Sequence, residues 1–465
     1  MLADRGLARR GVLAALARRR VYLTWSSLVG VVIATCLVLL TVTGILLAVA
    51  YRPSGALTTY DGVYAPLAGA RVSQAYDSVV TLSLETAGGM LVRQTHHWAA
   101  LVLPAAMVVQ LLTKFFSGWF RRPRRGSWVL LVALFAVVLA GGWSGYALPD
   151  DMLSGTGLQI TQGVVLAIPF VGTRLSSLIF GGGFPGHIIE HLYPIHVYVV
   201  PALIVALIAV RAVLARRHGQ AVPASDAVRG SLGVRLWPDA TLLAVGMAAM
   251  TSAVLVLLGA VATITPVWAY GPADPGDAGA GSQPDWYTGF LDGALRLVPS
   301  GWETVWSGYT VTFAVLVPLA VVGAWFAAVA VYPFVESWLT HDVVEHHVLD
   351  RPRLAPTRVG IGVAGATFYA VLWAAAGSDV IATQFHLSFE SILVTLRVAL
   401  VVGPPIAFDV ARRVAAGLQR KDHEEAVHGR ETGRIVRTVE GGYVEIHERP
   451  AAAEARQIEA RTTGR

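Results

Sequence analysis

The sequence predicts an all-α integral membrane protein with eight transmembrane helices. Hydrophobic residues make up 55% of its 465 positions and charged residues only 14%, whereas soluble domains carry roughly 25% charged residues. A membrane-spanning helix needs about 20 mostly apolar residues, and eight windows of the chain satisfy this requirement. They cover residues 27–51, 90–116, 127–148, 187–213, 240–267, 306–332, 357–376 and 388–410.

Basic residues are concentrated beside particular spans, and their positions predict the orientation of the chain. They precede the first span and follow the second, fourth and eighth, and the positive-inside rule assigns these segments to the cytoplasm. Both termini are therefore expected to be cytoplasmic. This topology explains the formal net charge of +6, so nucleic acid is not expected as a partner. The basic residues that follow the second, fourth and eighth spans are Arg121, Arg122, Arg124, Arg125, Arg211, Arg216, Arg217, Arg229, Arg412, Arg413, Arg420 and Lys421.

The two ends of the chain are predicted to be polar cytoplasmic segments. The arginines of residues 1–26 precede a full-length span and not a short apolar core, so we expect a basic segment and no signal peptide. Residues 411–465 are charged and rich in alanine, which predicts a polar tail, partly disordered at its end. The single cysteine, Cys36, lies in an apolar run, so neither an intrachain disulfide nor a thiolate metal cluster is expected.

Three long connections are predicted to face the outside of the membrane: residues 52–89, 149–186 and 268–305. They are rich in Gly, Pro, Trp and Tyr, and loops of this kind often build binding sites. The second connection contains an apolar stretch that Pro169 and Gly172 interrupt. We therefore predict a pair of surface helices there.

Two histidines lie at matching depths in the second and fourth predicted spans. His96 is about six residues into its span and His196 about nine, which at 1.5 Å per residue puts both roughly 9–14 Å below the outer edge. Ionisable residues inside spans are costly and are therefore functional candidates. Two imidazoles at one depth on neighbouring helices can supply both axial ligands of a haem iron, so we expect them to bind one haem.

Two glycines support this prediction. Gly44 in the first span and Gly145 in the third lie toward the same outer end as the histidines. A macrocycle inside a four-helix bundle needs gaps beside it, and glycine leaves them because it has no side chain. Gly44 alone would more simply indicate helix packing, but two glycines and two histidines at one depth favour a haem site.

Other histidines provide competing interpretations. His97 is adjacent to His96 and points about 100° away on a helix, so both cannot face one haem. His187 and His191 are four residues apart on one helical face, a spacing that can bind a metal ion. Their position at the outer end of the fourth span makes this second metal site the weaker alternative.

Six segments together carry a specific family pattern. They are RQTHHWAA (93–100), GYALPDDMLSGTG (145–157), FGGGFPG (180–186), LYPIHV (192–197), GSQPDWYTGFLDGALRL (281–297) and GLQRKDHEEAVHGRETG (417–433). In these segments the chain resembles the cytochrome b subunit of quinol–cytochrome c reductase (cytochrome bc) complexes, in its actinobacterial form. The resemblance implies that His96 and His196 hold the outer haem b and that Arg93 lies near a haem propionate.

The resemblance also implies a quinol site. Pro284, Asp285, Trp286 and Tyr287 are similar to the Pro-Glu-Trp-Tyr segment beside the quinol oxidation pocket of the family, with aspartate in place of glutamate. A carboxylate in a partly apolar pocket can have its pKa raised enough to accept a quinol proton. We therefore expect all four residues to bind quinol and Asp285 and Tyr287 to be catalytic. Without the resemblance, the segment would be interpreted as a turn with interfacial aromatic residues.

The sequence departs from the family where a second, inner haem b is normally bound. Counting 14 and 15 residues onward from the two histidine ligands leads to Gln110 and Arg211, and neither side chain is a haem ligand. The inner glycine of the third span is replaced by Leu131, although Gly30 of the first span is kept. We therefore expect the outer haem alone, and we expect Gln110 and Arg211 to hydrogen-bond across the bundle.

The leading hypothesis is a cytochrome b subunit of a respiratory quinol–cytochrome c reductase in a bacterial plasma membrane. It would oxidise membrane quinol, by analogy menaquinol, with a Rieske iron–sulfur subunit, a cytochrome c subunit and a second copy of the chain as partners. The alternatives are a non-catalytic or altered paralogue that binds one haem or quinone for assembly or regulation, and a transporter with intramembrane histidines. The predicted domains are a basic segment (1–26), a haem-binding four-helix bundle (27–230), a C-terminal four-helix region (231–410) and a tail (411–465).

Overall fold

The computed structural model describes residues 19–274, 276 and 283–448. Predictions for residues 1–18, for the beginning of the GSQPDWY segment and for the disordered end of the tail therefore lie outside the described residues. In chain order the helices are α1 (Trp25–Ala50), α2 (Gln74–Leu84), α3 (Gly89–Phe116), α4 (Arg125–Tyr146), α5 (Met152–Leu166), α6 (Gly172–Phe180), α7 (Ile188–His218), α8 (Ala224–Arg229), α9 (Thr241–Val261), α10 (Val267–Tyr270), α11 (Gly289–Leu297), α12 (Phe313–Thr340), α13 (Pro356–Ala376), α14 (Ser378–Phe385) and α15 (Phe389–His428).

Eight helices are long and apolar enough to cross a membrane, which confirms the predicted fold class. They are α1, α3, α4, α7, α9, α12, α13 and α15. Thr24 caps the first of them, because its hydroxyl accepts a hydrogen bond from the backbone N–H of Ser27. The remaining helices lie in the connections or at their edges.

Short antiparallel strands lie in the segments outside the spanning helices. They are β1 (Arg20–Val21), β2 (Leu57–Thr59), β3 (Arg71–Ser73), β4 (Val234–Arg235), β5 (Glu303–Trp306), β6 (Tyr309–Thr312), β7 (Arg430–Arg437) and β8 (Tyr443–Glu448). They pair as β1 with β4, β2 with β3, β5 with β6, and β7 with β8. The pairing of β1 with β4 joins the entrance of the first span to the entrance of the fifth.

Two predicted boundaries are wrong. The sixth span begins at Phe313 and not at residue 306, because β5 and β6 form a hairpin over residues 303–312. Positive φ angles at Ser307 and Gly308 make the turn, and the flanking Thr and Val residues favour strands. The last helix, α15, continues to His428, well past the predicted boundary at residue 410. The predicted surface helix pair is confirmed as α5 and α6.

The first four spans form a bundle that α9 covers on one side. Helix α1 packs on α3 and on α9, while α4 packs on α7. In the second half, α13 packs on α11 and α15, and α12 contacts α4. One buried hydrophobic cluster, which includes Leu103, Phe135, Phe290 and Leu372, draws residues from both halves. The halves therefore share a core, and the loop before α11 is held against the first bundle.

Ion pairs connect the loop after α3 to the loop after α12. Arg121 pairs with both Asp342 and Asp350, and Arg358 donates to Asp350 at 2.8 Å. His346 Nε2 lies 2.8 Å from Asp342. Burial raises the pKa of Asp342, but the hydrogen bond and charge of Arg121 outweigh burial, so the pKa of Asp342 lies below its ordinary value.

Candidate haem and quinol site

His96 of α3 and His196 of α7 face each other inside the bundle, as the sequence predicts. Their ring centroids are 6.4 Å apart, with the ring planes inclined at 66°. Metal–imidazole bonds of about 2 Å on each side of one metal put two axial ring centroids on the order of 6 Å apart. The spacing of the two rings therefore fits two ligands of a single iron.

Hydrogen bonds orient both imidazoles. The Thr43 hydroxyl donates to Leu39 O at 2.6 Å, so its oxygen accepts from His96 Nδ1 at 2.9 Å. The Ser144 hydroxyl donates to Gly141 O, and His196 Nδ1 lies 3.1 Å from the Ser144 hydroxyl and 3.0 Å from Gly141 O. Both partners favour a proton on Nδ1, which leaves each Nε2 lone pair available to a metal.

A local departure from α-helix positions His196. Residues Ile195–Val199 form one π-helical turn inside α7, immediately after Pro194. Proline lacks a backbone N–H and disturbs the helical hydrogen-bond pattern around it, and π turns are frequent at functional sites. This turn carries His196 and gives its ring a direction that a regular helix would not.

The two glycines make room for the imidazole rings. A Cβ placed on Gly145 would lie 2.5 Å from His196 Cε1, and one on Gly44 would lie 3.3 Å from His96 Cε1. The sequence predicts that these glycines leave space for a macrocycle. In the structure each glycine first permits the close approach of a histidine ring.

A cavity of about 750 Å³ connects the two histidines with the outer loops. Arg93, Asp151, Asp285 and Tyr287 line the same cavity. Arg93 is only 9% exposed; it donates through Nη2 to Thr265 O, and its buried Nε has no partner among the described residues. An anionic group at the edge of a macrocycle would satisfy this nitrogen, in agreement with the predicted propionate contact.

Asp285 lies between two hydrogen-bonding partners. His97 Nε2 lies 3.1 Å and 3.2 Å from its two carboxylate oxygens, and the Tyr287 hydroxyl donates to Asp285 Oδ2 at 2.8 Å. Burial, followed by the charge of Asp285, raises the pKa of Tyr287 well above its ordinary value, so this phenol stays protonated. The three side chains place one oriented carboxylate at the cavity wall.

The other two predicted quinol-binding residues lie elsewhere. Pro284 and Trp286 are not in the wall of this cavity. Trp286 Nε1 donates to Leu101 O at 3.2 Å, and Trp286 O accepts from Trp373 Nε1 at 3.1 Å. Trp286 therefore fixes the loop to α3 and α13, which in turn presents Asp285 and Tyr287 to the cavity.

Sequence reasoning missed three contributors to the site: Thr43, Ser144 and His97. Thr43 and Ser144 each immediately precede one of the two glycines. This hydroxyl–glycine pair, repeated at one depth, is the sequence feature from which the two hydroxyl groups could have been predicted. The sequence presents His97 only as a rival haem ligand, because nothing local links it to Asp285, which is 188 residues along the chain. A fourth candidate, Asp151, lines the cavity with an unpartnered Oδ2, and burial raises its pKa.

Comparisons with known proteins identify the family of the chain. A family profile described as Cytochrome b(N-terminal)/b6/petB matches residues 101–272. The cytochrome bc1 complex cytochrome b subunit of Streptomyces coelicolor is 42% identical, over 91% of this chain and 78% of its own length. That of Corynebacterium efficiens is 39% identical over 91% and 79% of the two chains. The chain belongs to the cytochrome b family.

A solved structure supports the fold of this cytochrome b. A chain titled Hyperthermophilic respiratory Complex III aligns with a TM-score of 0.63, over 88% of this chain and 98% of its own length, at 18% identity. Membership in the family makes the chain a cytochrome bc1-type subunit, which is a respiratory electron-transfer component, and implies that it binds haem b.

The inner half of the cytochrome b bundle differs from the outer half. Gln110 is 7% exposed and accepts a hydrogen bond from the Ser26 hydroxyl at 3.3 Å. Gln110 therefore does hydrogen-bond across the bundle, to α1, but no bond joins it to Arg211 among the described residues, so the expected bond between those two side chains is wrong. Leu131 is 1% exposed and fills the space that an inner glycine would leave.

The competing metal site on α7 is not supported. Among the residues that the structure describes, no group of three or more His, Cys, Asp or Glu side chains is placed to hold a metal ion. His187 and His191 both lie beside Gly181, at the outer end of the span. They pack around this turn and have no third ligand in the described part of the chain.

Proposed function

We propose that this cytochrome b oxidises a membrane quinol, by analogy menaquinol, with one haem b bound between His96 and His196. The proposal rests on one observation. The imidazoles of His96 and His196 lie 6.4 Å apart, each is held by a hydrogen bond at Nδ1, and both line the same cavity as the Asp285 carboxylate. Bound there, haem b supplies one-electron redox chemistry within the membrane.

The chain's own residues would orient the quinol and take up a proton. Oxidation breaks the two quinol O–H bonds and releases two protons, and the two electrons would leave to two one-electron acceptors, the haem b held by His96 and His196 and the Rieske iron–sulfur partner. Asp285 accepts one proton, since its carboxylate faces the cavity and can hydrogen-bond a quinol hydroxyl. His97 and Tyr287 hold the carboxylate in that orientation. The Tyr287 ring also provides an apolar wall for the quinone ring.

The proposed surroundings follow from the family and the topology. The relatives are subunits of cytochrome bc1 complexes, which supports a Rieske iron–sulfur subunit, a cytochrome c subunit and a second copy of this chain as partners. We place the chain in the plasma membrane with both termini cytoplasmic. The histidines lie near the beginning of α3 and α7, and basic residues lie in the last turns of both helices, which supports an outer-face quinol site.

We also propose that the chain binds this haem alone. An amide at Gln110 and a guanidinium at Arg211 do not offer the donor atoms that haem iron takes. The buried Leu131 leaves no clearance at the corresponding depth of α4. The inner half of the bundle therefore does not fit a second haem.

Haem content per chain tests both parts of the proposal. The purified wild type should contain one bis-histidine haem b, and His96→Ala or His196→Ala should remove it. The matched inner variants Gln110→Ala and Arg211→Gln should leave the content unchanged. A wild type with two bis-histidine haems, or an unaltered spectrum in His96→Ala, would contradict the assignment.

A second candidate, an altered paralogue without quinol oxidation, is favoured by one observation: the replacement of both inner ligands. Quinol oxidation by the assembled complex separates the two candidates. Under the leading proposal Asp285→Asn lowers the rate by about 10²–10⁴-fold, the usual contribution of a proton-transfer residue, and leaves the haem spectrum intact. No quinol oxidation by the assembled wild-type complex would favour the paralogue, and equal measurable rates in the wild type and Asp285→Asn would contradict the role of Asp285.

A further inference from the structure

A polar cluster joins the loop that carries Asp285 to the connection between the last two spans. Gln283 lies two residues before Asp285, Arg296 lies in the last turn of α11, and Asp379 lies in the first turn of α14. Gln283 Nε2 donates to Asp379 Oδ2 at 2.7 Å, and Arg296 Nη1 lies 3.0 Å from Asp379 Oδ1. One carboxylate therefore binds the chain both before and after the segment that carries Asp285 and Tyr287.

The Arg296 guanidinium is fixed by further partners. Its Nε lies 2.9 Å from Asp292 Oδ2, one turn earlier on α11, and its Nη1 donates to the Ser378 hydroxyl at 3.4 Å. Burial raises the pKa of Asp379, but the charge and the hydrogen bond of Arg296 outweigh burial and hold that pKa below its ordinary value. The Asp379 carboxylate is therefore ionised at neutral pH, and both of its hydrogen bonds are charge-assisted.

Close backbone packing holds α11 in place independently of Asp379. A Cβ on Gly293 would overlap Leu372 O, and one on Gly289 would lie 3.3 Å from Ala376 Cβ. The two glycines are one turn apart, so the backbone of α11 lies directly against the end of α13. This packing supports the fold of the region, whereas the side chain of Asp379 is 34% exposed and adds only polar contacts.

The segment before Asp285 is held by a side chain. Pro284 has no backbone N–H to donate, and the Gln283 side chain reaches Asp379. After Asp285 the chain turns tightly, because the backbone N–H and the hydroxyl of Thr288 both donate to Asp285 O, at 3.0 Å and 2.9 Å. A shift at Gln283 would therefore change the direction of the Asp285 carboxylate at the cavity wall.

We propose that Asp379 is a positioning residue for quinol oxidation, which holds the Asp285 carboxylate in the direction required to accept a quinol proton. The inference rests on the proposed function, because that function gives Asp285 a proton to accept. Asp379 is not among the described residues that line the cavity, so it acts through Gln283 and through α11. Small displacements of a reacting group slow a reaction strongly, so these contacts control the rate from outside the cavity.

Hydrogen–deuterium exchange of the full-length protein tests the contact without reference to activity. We expect Asp379→Ala to increase exchange in residues 283–297 and to leave exchange in α5 and α6 unchanged. Gln283→Ala should increase exchange at the beginning of the same segment, and Asp379→Glu should restore part of the protection. Asp77→Ala is the matched control, because Asp77 also lies in the first turn of a short helix outside the spans and lies 3.9 Å from an arginine, Arg52.

Quinol oxidation by the assembled complex is measured beside the exchange. We expect Asp379→Ala to lower kcat by about 10- to 100-fold, the loss that a displacement of up to about 1 Å produces. KM, haem content and melting temperature should stay close to wild type, because a partly exposed ion pair contributes little to stability. The double variant of Asp379→Ala with Gln283→Ala should be no slower than Asp379→Ala alone, since both changes break one contact.

The outcomes separate this inference from the proposed function. Wild-type exchange and wild-type kcat in Asp379→Ala, beside an active wild type, would overturn the positioning role alone. Increased exchange with unchanged kcat would also overturn that role, because the loop would then move without effect on the reaction. A lower melting temperature with increased exchange throughout the chain would reduce Asp379 to a structural residue. A wild-type complex that does not oxidise quinol would refute the proposed function and this inference with it.

Discussion

The two glycines beside the histidines permit a quantitative comparison within one site. In Gly145→Ala the new Cβ would lie 2.5 Å from His196 Cε1, whereas in Gly44→Ala it would lie 3.3 Å from His96 Cε1. Ordinary carbon–carbon contacts begin at about 3.5 Å. The His196 ring must therefore move by about 1 Å in the first variant, but the His96 ring by only a few tenths of an ångström in the second.

This difference should appear in haem affinity. Metal–imidazole bonds of about 2 Å tolerate deviations of roughly 0.2 Å, so a displacement of about 1 Å breaks the ligation. Overpacking a core costs about 1–3 kcal/mol, which is about 5- to 150-fold in affinity. We expect Gly145→Ala to lose most of its haem, and Gly44→Ala to keep haem with a loss of less than about tenfold.

The assay is haem titration of the purified apoprotein, followed by the spectrum of the bis-histidine form. Gly246→Ala in α9 is the matched control, because its Cβ would meet nothing within 4 Å. Thermal unfolding of the apoprotein separates loss of haem from loss of fold. A Gly145→Ala protein with wild-type haem content, beside a Gly44→Ala protein without haem, would refute the reasoning.

Three further predictions concern the same structure. Thr43→Val removes the hydroxyl that accepts from His96 and should weaken haem binding about 10- to 100-fold. Ser144→Ala should weaken haem binding less, because the carbonyl of Gly141 still accepts from His196. A haem titration that gives the reverse order would contradict this prediction. Tyr287→Phe removes a hydrogen bond to the quinol-site carboxylate and should slow quinol oxidation about tenfold with haem content unchanged; an unchanged rate would contradict that role. Asp342→Asn should lower stability at neutral pH by about 1–3 kcal/mol. Arg121 lowers the pKa of Asp342, so the stability that Asp342 contributes is present above its ordinary pKa of about 4 and is lost as the pH falls through the lower pKa of the folded state. A difference in melting temperature between wild type and Asp342→Asn that is the same at every pH would contradict this prediction.

The sequence predicts most of the fold because the bilayer imposes a simple rule. Each span must be long and apolar, and all eight windows correspond to spanning helices. The errors arise where that rule does not apply. From Trp306 to Thr312 the chain carries no charged residue and so looks like the beginning of a span, but positive φ angles at Ser307 and Gly308 turn it into a hairpin. The polar end of α15 is helical although no membrane requires it.

The site was predictable along each helix but not across the bundle. Helical spacing relates His96 to Gln110, and a depth argument relates His96 to His196. Neither argument relates His97 to Asp285, which is 188 residues away along the chain. The family resemblance supplied the quinol segment, and the structure supplied the partner of its carboxylate. Arg211 was wrong as the expected partner of Gln110 because the position of Gln110 along α3 does not determine which neighbouring helix its amide faces.

The inner half of the bundle shows which replacements are compensated and which are not. Losing ligands alone would leave a cavity and unpaired polar groups. Here Leu131 and Met107 are fully packed and Gln110 has a hydrogen-bonding partner, so volume and amide chemistry are both accounted for. The positive charges of the inner half are not compensated, because Lys114 and Arg124 are buried without a carboxylate partner in the described chain. Packing and hydrogen bonding in the inner half therefore support the proposal of one haem, held between His96 and His196, although the two buried cations have no carboxylate partner in the described chain.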